Sequence, residues 1–361
     1  MLNRVAIISL AVCLTAGAAF ADDLRVPQDH ATIQAAVDAA GDGDVIIVKG
    51  GKYAEDVQVT NKTNLTITGK GSVTLMPTDR GILATGCTNL TISKIKCKGG
   101  NTGFEFFTCA GVTLEKFSVK GASLDGVYAT SSSDVRILKG KVSTVGRDGV
   151  AFSDEDEANP IQRGEVTQVS VKDCGEDGID ILGSNVTVSR CTTKNAADDG
   201  FESDDGGVGP VTFDRCKSIN SGDEGFELYC PNTTATNCKT IRAGDGFDAR
   251  GDDSRVENCK AIRTRFVSFE VQDGTRITIL NCKSIRSGDD AFVVVNASNN
   301  VIDGCTSIRA AFDGFYIDSD SSNNVIRNCK ATTSRDDDLD DEGTNNTTTE
   351  NNKFKKIEDN G

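Results

Sequence analysis

Apolar residues recur along this chain in short alternating runs rather than on helical faces. Asn185-Val186-Thr187-Val188 and Arg276-Ile277-Thr278-Ile279 are examples, each bounded by Gly, Asn or Asp. Alternation of this kind predicts half-buried strands separated by tight turns. The runs also repeat. Cys191, Cys216, Cys238, Cys259, Cys282, Cys305 and Cys329 recur at intervals of 21 to 25 residues. An acidic residue follows most of them at a spacing of +8: Asp199, Glu224, Asp290, Asp313 and Asp337, with Asp245 at +7 from Cys238. Phe117 and Gly140 hold the cysteine frame ahead of Asp125 and Asp148. A small residue and then an apolar one come next, as in Glu224-Gly225-Phe226 and Asp313-Gly314-Phe315.

A period in the low twenties admits a leucine-rich repeat or a β-solenoid. The chain is poor in Leu, so the solenoid is favoured. One such unit cannot bury both strand faces alone, but units stacked at about 4.8 Å share one continuous core. The predicted fold is all-β, a single-stranded right-handed parallel β-helix of roughly thirteen coils, some 60 Å long by that spacing. In this frame the cysteines form a ladder whose side-by-side Cβ vectors disfavour disulfides, so a reduced stack is expected. Cys87 and Cys109 form a shorter second ladder. The Asn residues before Cys238, Cys259, Cys282 and Cys329 form a turn ladder.

Both ends fit this frame. Residues 32–40 carry Ile33, Ala36, Val37 and Ala40 on one helical face, predicting a short capping helix over the first coil. Residues 344–361 are polar and read as a terminal cap. Residues 1–21 read as an export signal, with Arg4, the apolar run Val5 to Leu14 and the site Ala19-Phe20-Ala21. This leaves 22–361 as one domain and predicts a secreted, extracellular or periplasmic protein. A lipid anchor at Cys13 is the weaker alternative, because Val12 is large and Leu14 to Phe20 apolar. No later segment is long and apolar enough to span a membrane.

Charge narrows the partners. The net charge is -15, with no Trp and one His among 361 residues. That argues against nucleic acid, which needs a basic footprint, and against a bare polyanionic sugar unless a metal reverses the local sign. A monomer is expected.

The segment Ala31-Thr32-Ile33-Gln34-Ala35-Ala36-Val37, followed by Gly43-Asp44-Val45-Ile46-Ile47-Val48 and Gly51-Lys52-Tyr53, resembles the opening segment of the pectate-lyase-like superfamily of secreted right-handed β-helix proteins. The resemblance implies this fold over nearly all of the mature chain and polysaccharide or a cell-surface glycan as partner. It does not carry a specific activity. Ser287-Gly288-Asp289-Asp290 is similar to the first motif of polygalacturonases, but no His lies in the coils. The Asp-Pro-His motif of alginate epimerases and the Gln-Asp-Thr context of pectin methylesterases are absent. His30 reads as a helix-start residue.

Two acidic ladders remain as candidate chemistry. The repeat acid (Asp125 to Asp337) is expected at the turn, accepting bonds from backbone amides. The second, Asp180, Glu202, Glu227, Asp248 and Glu270, lies three residues later and points outward by strand parity. Stacked carboxylates repel, so a bound Ca²⁺, nearby arginines or raised pKa values should offset them. Arg242, Arg263, Arg286 and Arg309 form a ladder that could pair with them laterally. Glu202, Glu227, Asp248 and Glu270 are the candidate Ca²⁺ ligands. Glu227, Asp248 and Arg250 are the candidate catalytic residues of a Ca²⁺-assisted lyase on uronate glycans, with Arg250 taking the proton. Acid–base hydrolysis is equally open, since adjacent coils separate carboxyls by about 5 Å and alternate coils by nearly 10 Å. Longer intervals place Ser153 to Glu157 and Ser203 to Gly206 at one turn, where they could wall a cleft. Against catalysis stand the uniform repeat and the lack of an aromatic platform, which suit a non-catalytic carbohydrate-binding, adhesin or structural rod. The coil Arg265-Phe266-Val267-Ser268-Phe269-Glu270 breaks the repeat and could mark a site.

Overall fold

The computed structural model describes residues 21–153, 160–204 and 206–359. Residues 1–20, which hold all but the last residue of the segment 1–21 read as an export signal, and residues 154–159, 205 and 360–361 lie outside the described residues. The chain winds as a right-handed parallel β-solenoid, with a 14-stranded sheet along one face and a 24-stranded sheet wrapping the others. Every strand pair is parallel, in successive registers such as Glu202↔Glu227, Glu227↔Asp248 and Asp248↔Glu270.

The repeat dictates this winding residue by residue. The apolar residue after each small one turns inward and stacks on its counterpart. Phe201, Phe226, Phe247, Phe269, Phe292 and Phe315 form a column with ring centroids 4.7–5.0 Å apart and near-parallel planes. The small residue before it is required by the close approach of the next coil. A Cβ on Gly225 would meet Thr240 Oγ1 at 2.2 Å and the Gly246 carbonyl at 2.7 Å. All twelve cysteines from Cys87 to Cys329 are buried and free. The Cys282 thiol donates to the Val256 carbonyl at 3.4 Å and the Cys305 thiol to that of Ile279 at 3.5 Å, so the column acts as small core residues with weak donors. Asn237, Asn258, Asn281 and Asn328 take φ of 52–57°, the left-handed bend that Asn tolerates.

The α1 helix (Ile33–Ala39) covers the first coil, burying Ile33, Ala36 and Val37. Thr32 Oγ1 accepts from Ala35 N, and the Glu55 carboxylate takes the Ile33 and Gln34 amides. At the far end, strand Ile357–Asp359 pairs with Leu339–Asp341, and Phe354 packs at 5.2 Å from Phe315. Among the described residues, no helix is long and apolar enough to cross a membrane.

Candidate functional site

The 14-stranded sheet carries both acidic ladders. The repeat acid stands at the bend leading into each strand, and its carboxylate reaches to the next coil. Asp148 N donates to Asp125, Asp177 N to Asp148, Asp199 N to Asp177, Glu224 N to Asp199, Val267 N to Asp245, Asp313 N to Asp290 and Asp337 N to Asp313, at 2.6–3.3 Å. These acids do accept backbone amides, but from the neighbouring coil rather than from their own turn. They therefore tie coils together along the axis.

The second ladder stacks on the outer face of the same sheet, yet it is not the solvated face that strand parity suggests. Asp180, Glu227 and Asp248 are buried, Asp248 at only 1% exposure, and Glu202 and Glu270 are half-buried. Low exposure of outward-pointing side chains means that their surroundings recess this face, here called the acidic groove. Nor do the two ladders stay apart. Asp177, Asp199 and Glu202 gather within 4.8 Å of one another, as do Asp199, Glu224 and Glu227. Two of the three triads that could hold a cation thus combine turn and strand acids, while the third joins Asp223, Glu224 and Asp245 at the turns. Of the four predicted ligands, Glu202 and Glu227 join such triads, whereas Asp248 and Glu270 belong to none among the described residues.

Packing so many carboxyls together raises their pKa values. Burial, then the charge of neighbouring acids, pushes Glu202 up to about 10 and Asp148 to about 7. Burial raises the Asp199–Glu224 pair, which shares a hydrogen bond. The burial cost of Asp180 places it well above the carboxylate range, and its Oδ1 has no hydrogen-bond partner.

Arg250 reaches into the groove. Its Nε donates to Asp248 Oδ2 at 2.6 Å and its Nη1 to Tyr229 Oη at 2.5 Å. Its guanidinium lies 4.7 Å over the Tyr229 ring and 3.6 Å from Glu227. The predicted trio Glu227, Asp248 and Arg250 is therefore in mutual contact. Burial works against the Arg250 charge, but Asp248, then Tyr229 and Glu227, outweigh it and raise its pKa above the ordinary arginine value. An arginine so held keeps its proton, which opposes the proton-accepting role suggested by its position. The ladder Arg242, Arg263, Arg286 and Arg309 does not pair with the groove acids: among the described residues, none of the four makes an ion pair.

The irregular coil Arg265–Glu270 falls within this groove. Val267 replaces the turn acid, so Asp245 keeps its amide bond at 2.6 Å but meets no carboxyl in the next coil. Ser268 takes the glycine position, with Oγ 3.0 Å from Thr264 Oγ1 and 2.8 Å from Ser284 Oγ. Glu270, half-buried, is pushed up to about 8 by burial, then by Asp248 and Asp245. Asp245 sits at about 6: burial raises it, and the Val267 amide partly offsets the rise.

Phe266 and Phe312 correct the expectation that no aromatic platform exists. They are 53% and 51% exposed and share one column on the groove rim, with Asp289 between them. Their carbonyls take the amides of Asp289 and Asp336 in the following coils, at 3.3 Å each. Two coils separate the rings by roughly 10 Å. Both occupy the position seven residues after the cysteine, which is the signal that would have found them. Exposed aromatics beside an acidic groove suit the apolar faces of sugar rings. Replacing both with Ala is expected to weaken glycan binding at least tenfold with an unchanged melting temperature, measurable by affinity electrophoresis.

The family described as "right handed beta helix region" matches residues 45–168, 80–233 and 228–361. No curated protein matches the chain significantly in sequence. Among solved structures, the catalytic unit of a thermostable GH87 α-1,3-glucanase from Streptomyces thermodiastaticus has a TM-score of 0.62 at 13% identity. The similarity covers 90% of this chain and 66% of the glucanase, just under two thirds. A family 28 exopolygalacturonase from Yersinia enterocolitica has a TM-score of 0.53 at 10% identity, over 91% of this chain and 78% of that one. The A-module of an Azotobacter vinelandii mannuronan C-5 epimerase has a TM-score of 0.53 at 14% identity, over 89% and 93%. At these identities the similarity is one of fold.

Proposed function

The chain belongs to the right-handed β-helix region family and has the fold of the pectate-lyase-like superfamily; from that premise we propose that it processes polysaccharide in the acidic groove of its 14-stranded sheet, by acid–base chemistry centred on Glu270 and Asp245. This reading rests on the place of the two carboxyls, on neighbouring coils of one acidic face where Val267 interrupts the turn-acid ladder; burial raises both, Glu270 to about 8 and Asp245 to about 6, which suits the two roles. With those values Glu270 would keep its proton near neutral pH while Asp245 would be largely ionised, the division of labour glycoside hydrolysis needs. Glu270 donates its proton to the glycosidic oxygen as the bond to the anomeric carbon breaks. Asp245 accepts a proton from the water that attacks that carbon. Val267 leaves no third carboxyl at the turn between their coils. Arg250, clamped by Asp248 and Tyr229, orients the sugar, and Phe266 and Phe312 hold flanking residues. A neutral glycan needs no charge reversal to approach a chain of net charge -15. Incubation with α-1,3-glucan, polygalacturonate and mannuronan, reading reducing ends and unsaturated products separately, tests the reading. New reducing ends without unsaturation support it. Binding without any cleavage would leave the non-catalytic rod.

A second reading, Ca²⁺-assisted elimination on uronate glycans, draws on the Asp199, Glu224 and Glu227 triad. Three clustered carboxyls are the oxygen donors Ca²⁺ takes. When bound, the ion would supply positive charge to receive a uronate carboxylate and acidify its neighbouring C–H. Burial raises all three acids, so they would have to give up their protons to the ion. Because the ion displaces protons, its effect should grow with pH. Ca²⁺ is expected to raise the melting temperature by about 5 °C at pH 8 and much less at pH 5. Glu224→Gln and Glu227→Gln should each abolish the rise. An equal rise in both variants would place the ion elsewhere.

A further inference from the structure

A second charged surface runs along the 24-stranded sheet, away from the acidic groove. Lys217, Lys239, Lys260 and Lys283 occupy one register column in four successive coils. Two residues on, Ile219, Ile241, Ile262, Ile285 and Ile308 form an outward, half-buried aliphatic column. One residue further, Arg242, Arg263, Arg286 and Arg309 stand fully exposed. The result is a strip about 10 Å wide, aliphatic along its floor and cationic along both edges, in coils of about 4.8 Å; the three middle coils carry both a Lys and an Arg and the two end coils one cation each.

Three observations mark this strip as more than solvated surface. First, its cations are unspent: none of the eight makes an ion pair among the described residues. The acids on the neighbouring strands are already matched, Asp214 by Arg215, Glu257 by Arg255 and Asp303 by Arg327. Second, the four arginines sit at φ of 58–63°, a backbone region that suits Asn or Gly. The same column holds Asn195 and Asn220 in the preceding coils, at 56° and 59°. The chain therefore places Arg in four successive coils where Asn fits the backbone better, as it also places Lys94, Lys116, Lys139, Arg190 and Arg215 in another column. Third, the strip lies on a chain of net charge -15, where like charges gather against the overall balance.

We propose that this strip is a second glycan site, which binds a single extended chain of an anionic polysaccharide through its carboxylate or sulfate groups. One anionic group per sugar or per disaccharide can meet a Lys or Arg at each coil while the ring faces lie on the Ile floor. The floor favours this occupant. It offers no aromatic ring for base stacking. Its Ile side chains are half-buried between longer cations, so they cannot insert into a lipid bilayer. A second copy of the chain would have to present its acids, and those of the groove are recessed.

The test is retention of the full-length mature protein by polygalacturonate in affinity electrophoresis, in EDTA at low salt, with dextran as the neutral control. The unmodified protein is expected to bind polygalacturonate and not dextran. Arg242→Asn, Arg263→Asn and Arg286→Asn combined should weaken binding at least tenfold and reduce the slope of log K against log salt by about 2. Because Asn suits this backbone, the triple variant should melt no lower than the parent, so lost binding is not lost folding. Lys239→Gln, Lys260→Gln and Lys283→Gln combined should act alike. Undiminished binding by either variant, no retention in EDTA, or tighter binding to single-stranded DNA or phosphatidylglycerol vesicles would overturn the proposal.

Discussion

Glu270→Gln should lower the rate of glycan cleavage by about 10²–10⁴-fold while leaving the solenoid intact. The amide fills the same space and keeps hydrogen-bonding capacity, but it cannot donate the proton. Glu270 is pushed up to about 8 by burial and by Asp248 and Asp245, so removing its charge relieves repulsion rather than creating it. The melting temperature of the variant should therefore match or exceed that of the parent above neutral pH. Asp245→Asn should lower the rate comparably for the opposite reason, since its carboxylate must be ionised. The pH profile separates the two: the parent should be most active near neutral pH, falling below about 6 as Asp245 protonates and above about 8 as Glu270 ionises. An acid limb that Asp245→Asn leaves unchanged would assign the base elsewhere.

The second large effect concerns stability. In most proteins acid destabilises, because paired carboxylates must take up protons. Here the sign is reversed over much of the range. Asp148, Asp177, Glu202, Glu224, Asp245, Glu270, Asp290 and Asp313 all have folded pKa values raised to between about 6 and about 10, chiefly by burial. An unfolded chain ionises these groups near pH 4, so between pH 4 and their folded values the native state holds the extra protons. Stability from this source is complete below pH 4 and is lost as pH rises through 6 to 10. The acids with lowered values, among them Asp44, Asp56, Asp173 and Asp303, act oppositely and lose their contribution below pH 4. The balance places maximum stability near pH 4–5. In chelator, the melting temperature should fall by about 10 °C or more between pH 5 and pH 8. A flat or rising curve would mean that the groove acids are ionised and solvated in the folded protein.

The sequence carried the winding because each coil must match its neighbour. The cysteine, the acid eight residues on, the glycine and the inward apolar residue fall in fixed columns, and their spacing alone predicts the parallel stack and the reduced thiols. Strand parity also placed Asp180, Glu202, Glu227, Asp248 and Glu270 in one column on the outer face. Their burial was not legible, because it depends on how high the flanking turns stand beside the strand. The meeting of Glu227 with Asp199 and Glu224 was hidden for a related reason: residues three apart along the chain converge only once the bend angle is known. Phe266 and Phe312 escaped notice because two aromatics 46 residues apart look sporadic until the frame aligns them. Val267 and Ser268 were visible as a break in the repeat. That this break falls beside Asp245 and Glu270 on the acidic face needed the fold.

The most direct measurement is a crystal structure of the Glu270→Gln protein soaked with oligosaccharides of α-1,3-glucan, galacturonan and mannuronan. A bound chain along the 14-stranded sheet, with a glycosidic oxygen within hydrogen-bond reach of residue 270 and a sugar ring on Phe266 or Phe312, is the predicted result. An empty groove at saturating ligand, or a chain bound only on the opposite face, would contradict the account.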